Sequence, residues 1–386
     1  MNSQTSLFQI SSFNFKISHI FVIGILVLAF STSFLIRSQP AGYGFELNEF
    51  DPFFNFRATE YIVENGFSEY FEWHDDKSWY PTGRDVSSTS QIMLHVTAAI
   101  TYQLFGGNSS LYDYTILFPA IIGSLSVFVI FALVRLFGGT TAGLIASLLF
   151  AVSLPIIIRG TIGWFKSEPL GIFYGLLGLY LFLSAITSEN KKVAAAKIIS
   201  GGVIMAFGIA SWGGNQFFII PIGLFILALP FIKKDHKFLL WCIPIFVGTF
   251  LFISGSFERP GPNFVFGLGG FSLILPTIFL IGCISIQKIS NNKNKTRNGL
   301  ILLISIILAG SFLITINEEL DFLPLPSFRY LNAINPLLTT TDPLVDSVAE
   351  HATPNIAQSF LFHSVLMIFS GLGVWLILSK KLFLEE

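Results

Sequence analysis

Apolar runs of about 20 residues, the length one helix needs to cross a hydrocarbon core, recur along this chain and leave room for little else. The first, Ile17 to Ile36, is nearly uninterrupted, and others fall at about 113–136, 140–158, 169–187, 197–213, 215–232, 238–255, 263–287, 299–316 and 359–379. Hydropathy therefore predicts about ten spans. With 53% hydrophobic and 12% charged residues and a mean hydropathy of +0.71, no soluble fold accommodates the pattern. The expected fold class is all-α: a polytopic integral membrane protein with about ten transmembrane helices and two long outer loops. A single transmembrane domain would cover 1–386, with outer loops at 38–112, carrying an interfacial helix, and at 317–358. The first run exceeds the roughly 7 to 15 residues of a signal-peptide core, and no small-residue cleavage site precedes the acidic stretch that follows, so it reads as a retained helix.

A shorter run, Gln91 to Phe105, is too short for an upright crossing and reads as interfacial or slanted. Its status sets the parity of all later spans. If it does not cross, Lys16, Arg135, Lys191, Lys192, Lys197, Lys233, Lys234, Lys237, Lys288, Lys293, Lys295, Arg297, Lys380 and Lys381 share one face, as the excess of Lys and Arg in short cytoplasmic loops requires. Both termini are then cytoplasmic. The outer face receives the loop after Arg37, the turn RGTIGWFKSEP and the connection from Asn317 to Gln358.

A net charge of −1 supplies no basic face for nucleic acid. Cys242 and Cys283 sit inside apolar runs and read as small hydrophobes. Chemistry is expected instead in the outer loops. Asp51 precedes Pro52, which biases it toward extended backbone, and Phe53, Phe54 and Phe56 can lie at the lipid interface. Trp73, Trp79 and Tyr80 around Asp75, Asp76, Lys77 and Arg84 read as an interfacial belt with local ion pairs. The last outer loop holds Asp342, Asp346, Ser347, Glu350 and His351. Acidic loops meeting on one face could hold a hard cation such as Mg²⁺ or Mn²⁺.

The run ELNEFDPFFNFR through WYPTGR, the turn beginning at Arg159 and the segment Ser347-Val348-Ala349-Glu350-His351 resemble motifs of the oligosaccharyltransferase catalytic subunit family, of the archaeal and eukaryotic type. The resemblance covers nearly the whole chain. It implies transfer of a lipid-linked oligosaccharide, carried on a polyprenyl or dolichyl phosphate or pyrophosphate, to the asparagine amide of Asn-x-Ser/Thr acceptors, in the cell membrane of an archaeon. Asp51 and Glu350 would be catalytic, and Asp51, Glu168 and Glu350 would bind Mn²⁺ or Mg²⁺. Arg159, Lys166 and Ser347 would bind substrate.

Two departures stand out. Where the family carries an acidic residue, one spacer and a second acidic residue, this chain reads Lys166-Ser167-Glu168. Exchanging a carboxylate for an ammonium alters local charge by two units, worth several kcal/mol at about 4 Å and a dielectric near 20. The family also continues into a soluble C-terminal domain that reads the acceptor sequon, expected to be absent here and to be replaced, if at all, by a separate acceptor-reading subunit. Two further readings follow: a polyprenyl-phosphate-sugar glycosyltransferase with another acceptor, and a non-catalytic carrier-binding paralogue or transport protein.

Overall fold

The computed structural model describes residues 6–10, 13–290, 294–320 and 356–383. A short hairpin, β1 (Ser6–Ile10) and β2 (Phe13–Lys16), leads into α1 (Ile17–Ser38); the hairpin lies ahead of the first apolar run and was not anticipated by hydropathy. Before the next long helix, α6 (Leu111–Ala151), the chain builds α2 (Phe50–Asn65), α3 (Phe67–Phe71), α4 (Val86–Thr89) and α5 (Ile92–Phe105). A two-residue ladder, β3 (His74–Asp75) against β4 (Arg84–Asp85), ties the middle of this loop. Beyond α6 come α7 (Leu154–Ile158), α8 (Glu168–Ile186), α9 (Lys191–Ser211), α10 (Gln216–Ile232), α11 (His236–Ser256), α12 (Gly261–Val265), α13 (Leu268–Ile289), α14 (Lys295–Leu320) and α15 (Ile356–Phe383).

Among the described residues eight helical segments are long and apolar enough to cross a membrane. Helix α6 counts once, yet at 1.5 Å per residue it would measure about 60 Å, twice a hydrocarbon core. Gly139, with φ 76°, breaks it, separating the runs expected at 113–136 and 140–158. Those two halves and α15 account for the remaining expected runs. Side chains that leave the bundle are apolar, as lipid contact requires: Phe21, Leu224 and Phe252 are all exposed.

The main core joins α8, α9, α10, α11 and α13 through Phe182, Met205, Ile222, Phe246 and Leu280. Helices α8 and α9 approach closely because Gly178 faces Met205 and Gly201 faces Leu181, the small-residue contact that membrane helices favour where backbones meet. A second core, with Leu94, Ile116, Phe118, Phe165 and Leu170, locks the turn before α8 against α5 and α6.

Helix α5 is not among the long apolar helices. It packs on α2 through a third cluster containing Ala58, Ile62, Tyr70, Val86 and Ile92, so the segment between α1 and α6 is itself folded. The interfacial-belt reading of that loop is corrected in part. Asp75 is buried and ion-paired to Arg57, outside the local set, and Trp73 stacks on Tyr61 with ring centroids 4.2 Å apart. Trp79 and Tyr80 remain exposed.

The two ends of the bundle differ. At one end Lys233 Nζ donates to the Ile186 carbonyl, joining the α10–α11 and α8–α9 connections. At the other end Glu168 opens α8, and Arg259, after α11, donates to the Thr89 carbonyl of α4.

Candidate functional site

Asp51 lies in the first turn of α2, correcting the expectation of extended backbone ahead of Pro52. Proline in a first turn lacks only an N–H that has no partner there, and a carboxylate in that position is favoured by the helix dipole. The bend into the helix falls on Glu49, whose φ of 69° and ψ of −176° lie outside the regions that L residues ordinarily adopt.

Four residues after Asp51, on the same helical face, Asn55 is buried and donates from Nδ2 to the Phe165 carbonyl at 2.8 Å. Ahead of the helix, the Asn48 amide donates to the Gly163 carbonyl at 3.0 Å, and Asn48 Nδ2 to the Ile162 carbonyl at 3.2 Å. Residues 48–55 thus run along residues 162–166, two segments more than a hundred positions apart. The turn is anchored beneath by Ile162 N–H on the Arg37 carbonyl, 3.0 Å, and Gly163 N–H on the Ile116 carbonyl, 2.9 Å.

This pairing delivers Lys166 to the carboxylates. Its Nζ stands 2.7 Å from Glu49 Oε2 and 3.1 Å from Asp51 Oδ2, and 4.4 Å from the centre of the Trp164 ring. Lys166 is only 11% exposed, Glu49 50% and Asp51 73%. Burial alone would pull the ammonium's pKa down. The hydrogen bonds and charges of Glu49 and Asp51 outweigh it and hold that pKa above the ordinary lysine value, so Lys166 is a cation at neutral pH.

Glu168, the first residue of α8 with Pro169 beside it, faces Arg159 Nη1 at 3.6 Å. Arg159 also lies over Trp164, 5.2 Å from the ring centre. Together these elements form a cleft of about 340 Å³ lined by Asp51, Asn55, Arg84, Lys166, Glu168 and Trp212. Arg84 is held between Phe54 and Trp79, 4.1 and 4.6 Å from their ring centres.

Of the residues expected from sequence, Asp51, Arg159, Lys166 and Glu168 come together here, whereas Ser347 and Glu350 lie outside the described residues. Glu49, Asn55 and Trp164 were missed. Glu49 had a signal, the spacing Glu49-Phe50-Asp51, which sets a second carboxylate two residues from the first.

The donor set is a poor match for a divalent ion. Among the described residues no three His, Cys, Asp or Glu side chains converge as a metal site would need. Mg²⁺ asks for near-octahedral oxygen ligands at about 2.0–2.1 Å, and one oxygen of each nearby carboxylate, Glu49 Oε2 and Asp51 Oδ2, is already taken by an ammonium. With Lys166 in place, the described residues do not fit the metal.

Fold and site define a polytopic helical membrane protein with a charged cleft, walled by the segment between α1 and α6, at one end of the bundle. A family model described as "Oligosaccharyl transferase STT3, N-terminal" matches residues 20–323, and the chain belongs to that family. It is 27% identical to the Arabidopsis thaliana dolichyl-diphosphooligosaccharide–protein glycosyltransferase subunit STT3B, over 95% of this chain and 51% of that protein. The chain thus spans about half the length of that relative. The archaeal oligosaccharyltransferase AglB from Archaeoglobus fulgidus, in complex with an inhibitory peptide and a dolichol-phosphate, superposes with a TM-score of 0.71 at 18% identity, covering 95% of this chain and 45% of that one. The Archaeoglobus fulgidus oligosaccharyltransferase complex with Zn and sulfate superposes at 0.60 and 20% identity, covering 76% and 39%.

Proposed function

We propose that this chain is the membrane portion of an oligosaccharyltransferase, moving a preassembled glycan from a dolichyl or polyprenyl phosphate or pyrophosphate to the amide nitrogen of asparagine in Asn-x-Ser/Thr. The observation that carries the reading is the Asp51 cleft, where a mostly exposed carboxylate stands beside Arg84 and Lys166. Support also comes from family membership and from the peptide and dolichol-phosphate bound by the structurally similar archaeal enzyme.

An amide nitrogen is a weak nucleophile because its lone pair is conjugated with the carbonyl, a conjugation reflected in a rotation barrier of about 18–20 kcal/mol. In this reading the Asp51 carboxylate accepts a hydrogen bond from the asparagine amide and weakens that conjugation. Glu350, with Ser347 as its motif partner, would do the same. The bond from the sugar's anomeric carbon to the carrier oxygen breaks, the bond to nitrogen forms, and one amide proton leaves through a carboxylate. Fixed cations around the cleft, Arg84, Arg159 and Lys166, would stabilise charge developing on the departing phosphate.

Mn²⁺ or Mg²⁺ held by Asp51, Glu168 and Glu350 is the competing arrangement: the Zn of a structural relative speaks for it, and the ammonium of Lys166 on Asp51 speaks against it. In topology, the cleft faces outward and both termini are cytoplasmic, with the basic loops at the opposite end of the bundle. A separate acceptor-reading subunit fits the reading.

The test is glycosylation of a sequon peptide by native membranes containing the chain, supplied with lipid-linked oligosaccharide. Asp51→Ala and Glu350→Ala should each abolish it, and undiminished transfer in both would refute the site. Sugar release to a non-peptide acceptor would instead favour a different glycosyltransferase.

A further inference from the structure

We propose that Lys166 is a tethered cation that closes the Asp51 cleft to divalent metal, its ammonium standing as the fixed counter-ion of Glu49 and Asp51. The inference deepens the functional reading only in naming what supplies positive charge at that site. Its structural part concerns cation binding and holds whatever the chain transfers.

Three observations converge. First, Lys166 Nζ lies within hydrogen-bond reach of two carboxylates, 2.7 Å from Glu49 and 3.1 Å from Asp51, with the face of Trp164 4.4 Å away. A negative aromatic face attracts an ammonium just as the carboxylates do, so acidic and aromatic groups both converge on this nitrogen.

Second, the neighbourhood is built to hold the lysine. Asn55 fixes the Phe165 carbonyl next to it, and Phe165 itself is fully buried in the second core. The stem of Lys166 is therefore delivered from a rigid turn, and only 11% of the side chain is exposed. A solvated surface lysine has no such constraint.

Third, Glu49 adopts a positive φ of 69°, a conformation that costs a non-glycine residue free energy and persists only where surrounding contacts impose it. The Asn48 hydrogen bonds to residues 162 and 163 impose it here, and the result is a carboxylate aimed at Lys166. A divalent ion placed between Glu49 and Asp51 would meet an ammonium at contact distance and would have to expel it. Among the described residues lining the cleft the remaining acid, Glu168, is turned to Arg159.

The test is a Mn²⁺ titration of the full chain in detergent micelles, followed by the electron paramagnetic resonance signal of free Mn²⁺, with no substrate present. Wild type and Asp51→Asn should bind the same amount of Mn²⁺, any ions held elsewhere being common to both. Lys166→Asp should gain about one equivalent, and Lys166→Asp combined with Asp51→Asn should lose that gain. Mn²⁺ binding in wild type that Asp51→Asn removes would overturn the proposal, as would a folded Lys166→Asp protein that gains nothing. Should Lys166→Asp not fold, the comparison of wild type with Asp51→Asn still decides.

A parallel transfer assay separates this inference from the functional one. Transfer by wild-type membranes that persists in EDTA supports the tethered cation, and a tenfold or greater loss restored by Mn²⁺ overturns it. Membranes that transfer no glycan at all would remove the functional reading and leave the Mn²⁺ titration to decide the role of Lys166.

Discussion

His95 and Asn55 are joined inside the segment between α1 and α6, ring Nε2 to amide oxygen at 3.0 Å, with the histidine wholly buried. On its other side His95 Nδ1 meets the Tyr70 hydroxyl at 2.7 Å. Because an amide oxygen can only accept, Nε2 carries the proton, Nδ1 accepts, and Tyr70 donates. Asn55 in turn donates to the Phe165 carbonyl, one residue from Lys166. A buried polar chain therefore runs from α3 through α5 and α2 to the cleft.

His95→Phe should break that chain at its centre. It strands the Asn55 oxygen in buried surroundings, which costs about 1–3 kcal/mol when left without a partner, and leaves the Tyr70 hydroxyl with Ser90 alone. Thermal unfolding in micelles should fall accordingly. An unchanged midpoint would show that the chain does not contribute to stability.

The same histidine sets a pH dependence. Burial pushes its pKa down from 6.5 to about 3, so between those values the unfolded chain holds a proton that the folded chain does not. Unfolding is then favoured as pH falls. The His95 contribution to stability should be complete above about pH 6.5 and decline steadily toward pH 3, as the 6.5 and 3 limits require. Comparing unfolding midpoints of wild type and His95→Phe across that range isolates the effect: the gap should narrow as pH falls, and a constant gap would contradict a neutral His95.

Much of this architecture was legible in the sequence because membrane spans announce themselves by length and hydropathy alone. Asp51, Lys166 and Glu168 were legible through motif resemblance, and Lys166 as a departure within it. The sequence did not disclose the partner of that lysine. Glu49 reaches Lys166 only because residues 48–55 align with residues 162–166, a register set by tertiary hydrogen bonds and not by local pattern. The bias of Asp51 toward extended backbone likewise yielded to docking of the α2 face on that turn. Asp75 was read as one of a local set of ion pairs, whereas its partner is Arg57, a residue 18 positions earlier on another element.

Gly163 tests that register directly. It holds φ at +75°, and a Cβ placed there would overlap the Glu46 carbonyl oxygen. Gly163→Ala should cost about 1–2 kcal/mol in backbone conformation, with a further 1–3 kcal/mol, roughly, from the steric conflict. On the proposed function, glycan transfer should fall with it, because the turn carrying Lys166 loses its seat on residues 46–48. Unfolding midpoints and transfer rates measured together would show both losses, and a fully stable, fully active variant would disprove the register.

Asp75 tests whether the loop is a folded unit. Besides Arg57, its carboxylate accepts from Ser78 Oγ and, at 3.1 Å, from the Lys77 amide. Asp75→Ala should cost about 1.5–3 kcal/mol, the range for hydrogen bonds to a charged group, and should speed amide exchange across residues 73–90. Exchange unchanged there would place the folding of that segment elsewhere.

The last prediction concerns sidedness, on which every outward-facing residue depends. Helix α5 is a shorter apolar helix, 14 residues from Ile92 to Phe105. At 1.5 Å per residue it covers only about 21 Å, short of the roughly 30 Å core, and its packing on α2 keeps it with the first outer loop. Asn108, in the connection to α6, then shares the side of Asp51. A cysteine introduced at Asn108, in a chain otherwise free of cysteine, should react with a membrane-impermeant maleimide from outside intact cells. In sealed inverted vesicles it should be protected until detergent is added. Labelling of the inverted vesicles without detergent would overturn the proposed orientation and put the Asn108 side in the cytoplasm, and because the 3.1 Å contact between Asp51 and Lys166 holds those two residues on one side, the cleft would then face the cytoplasm with it.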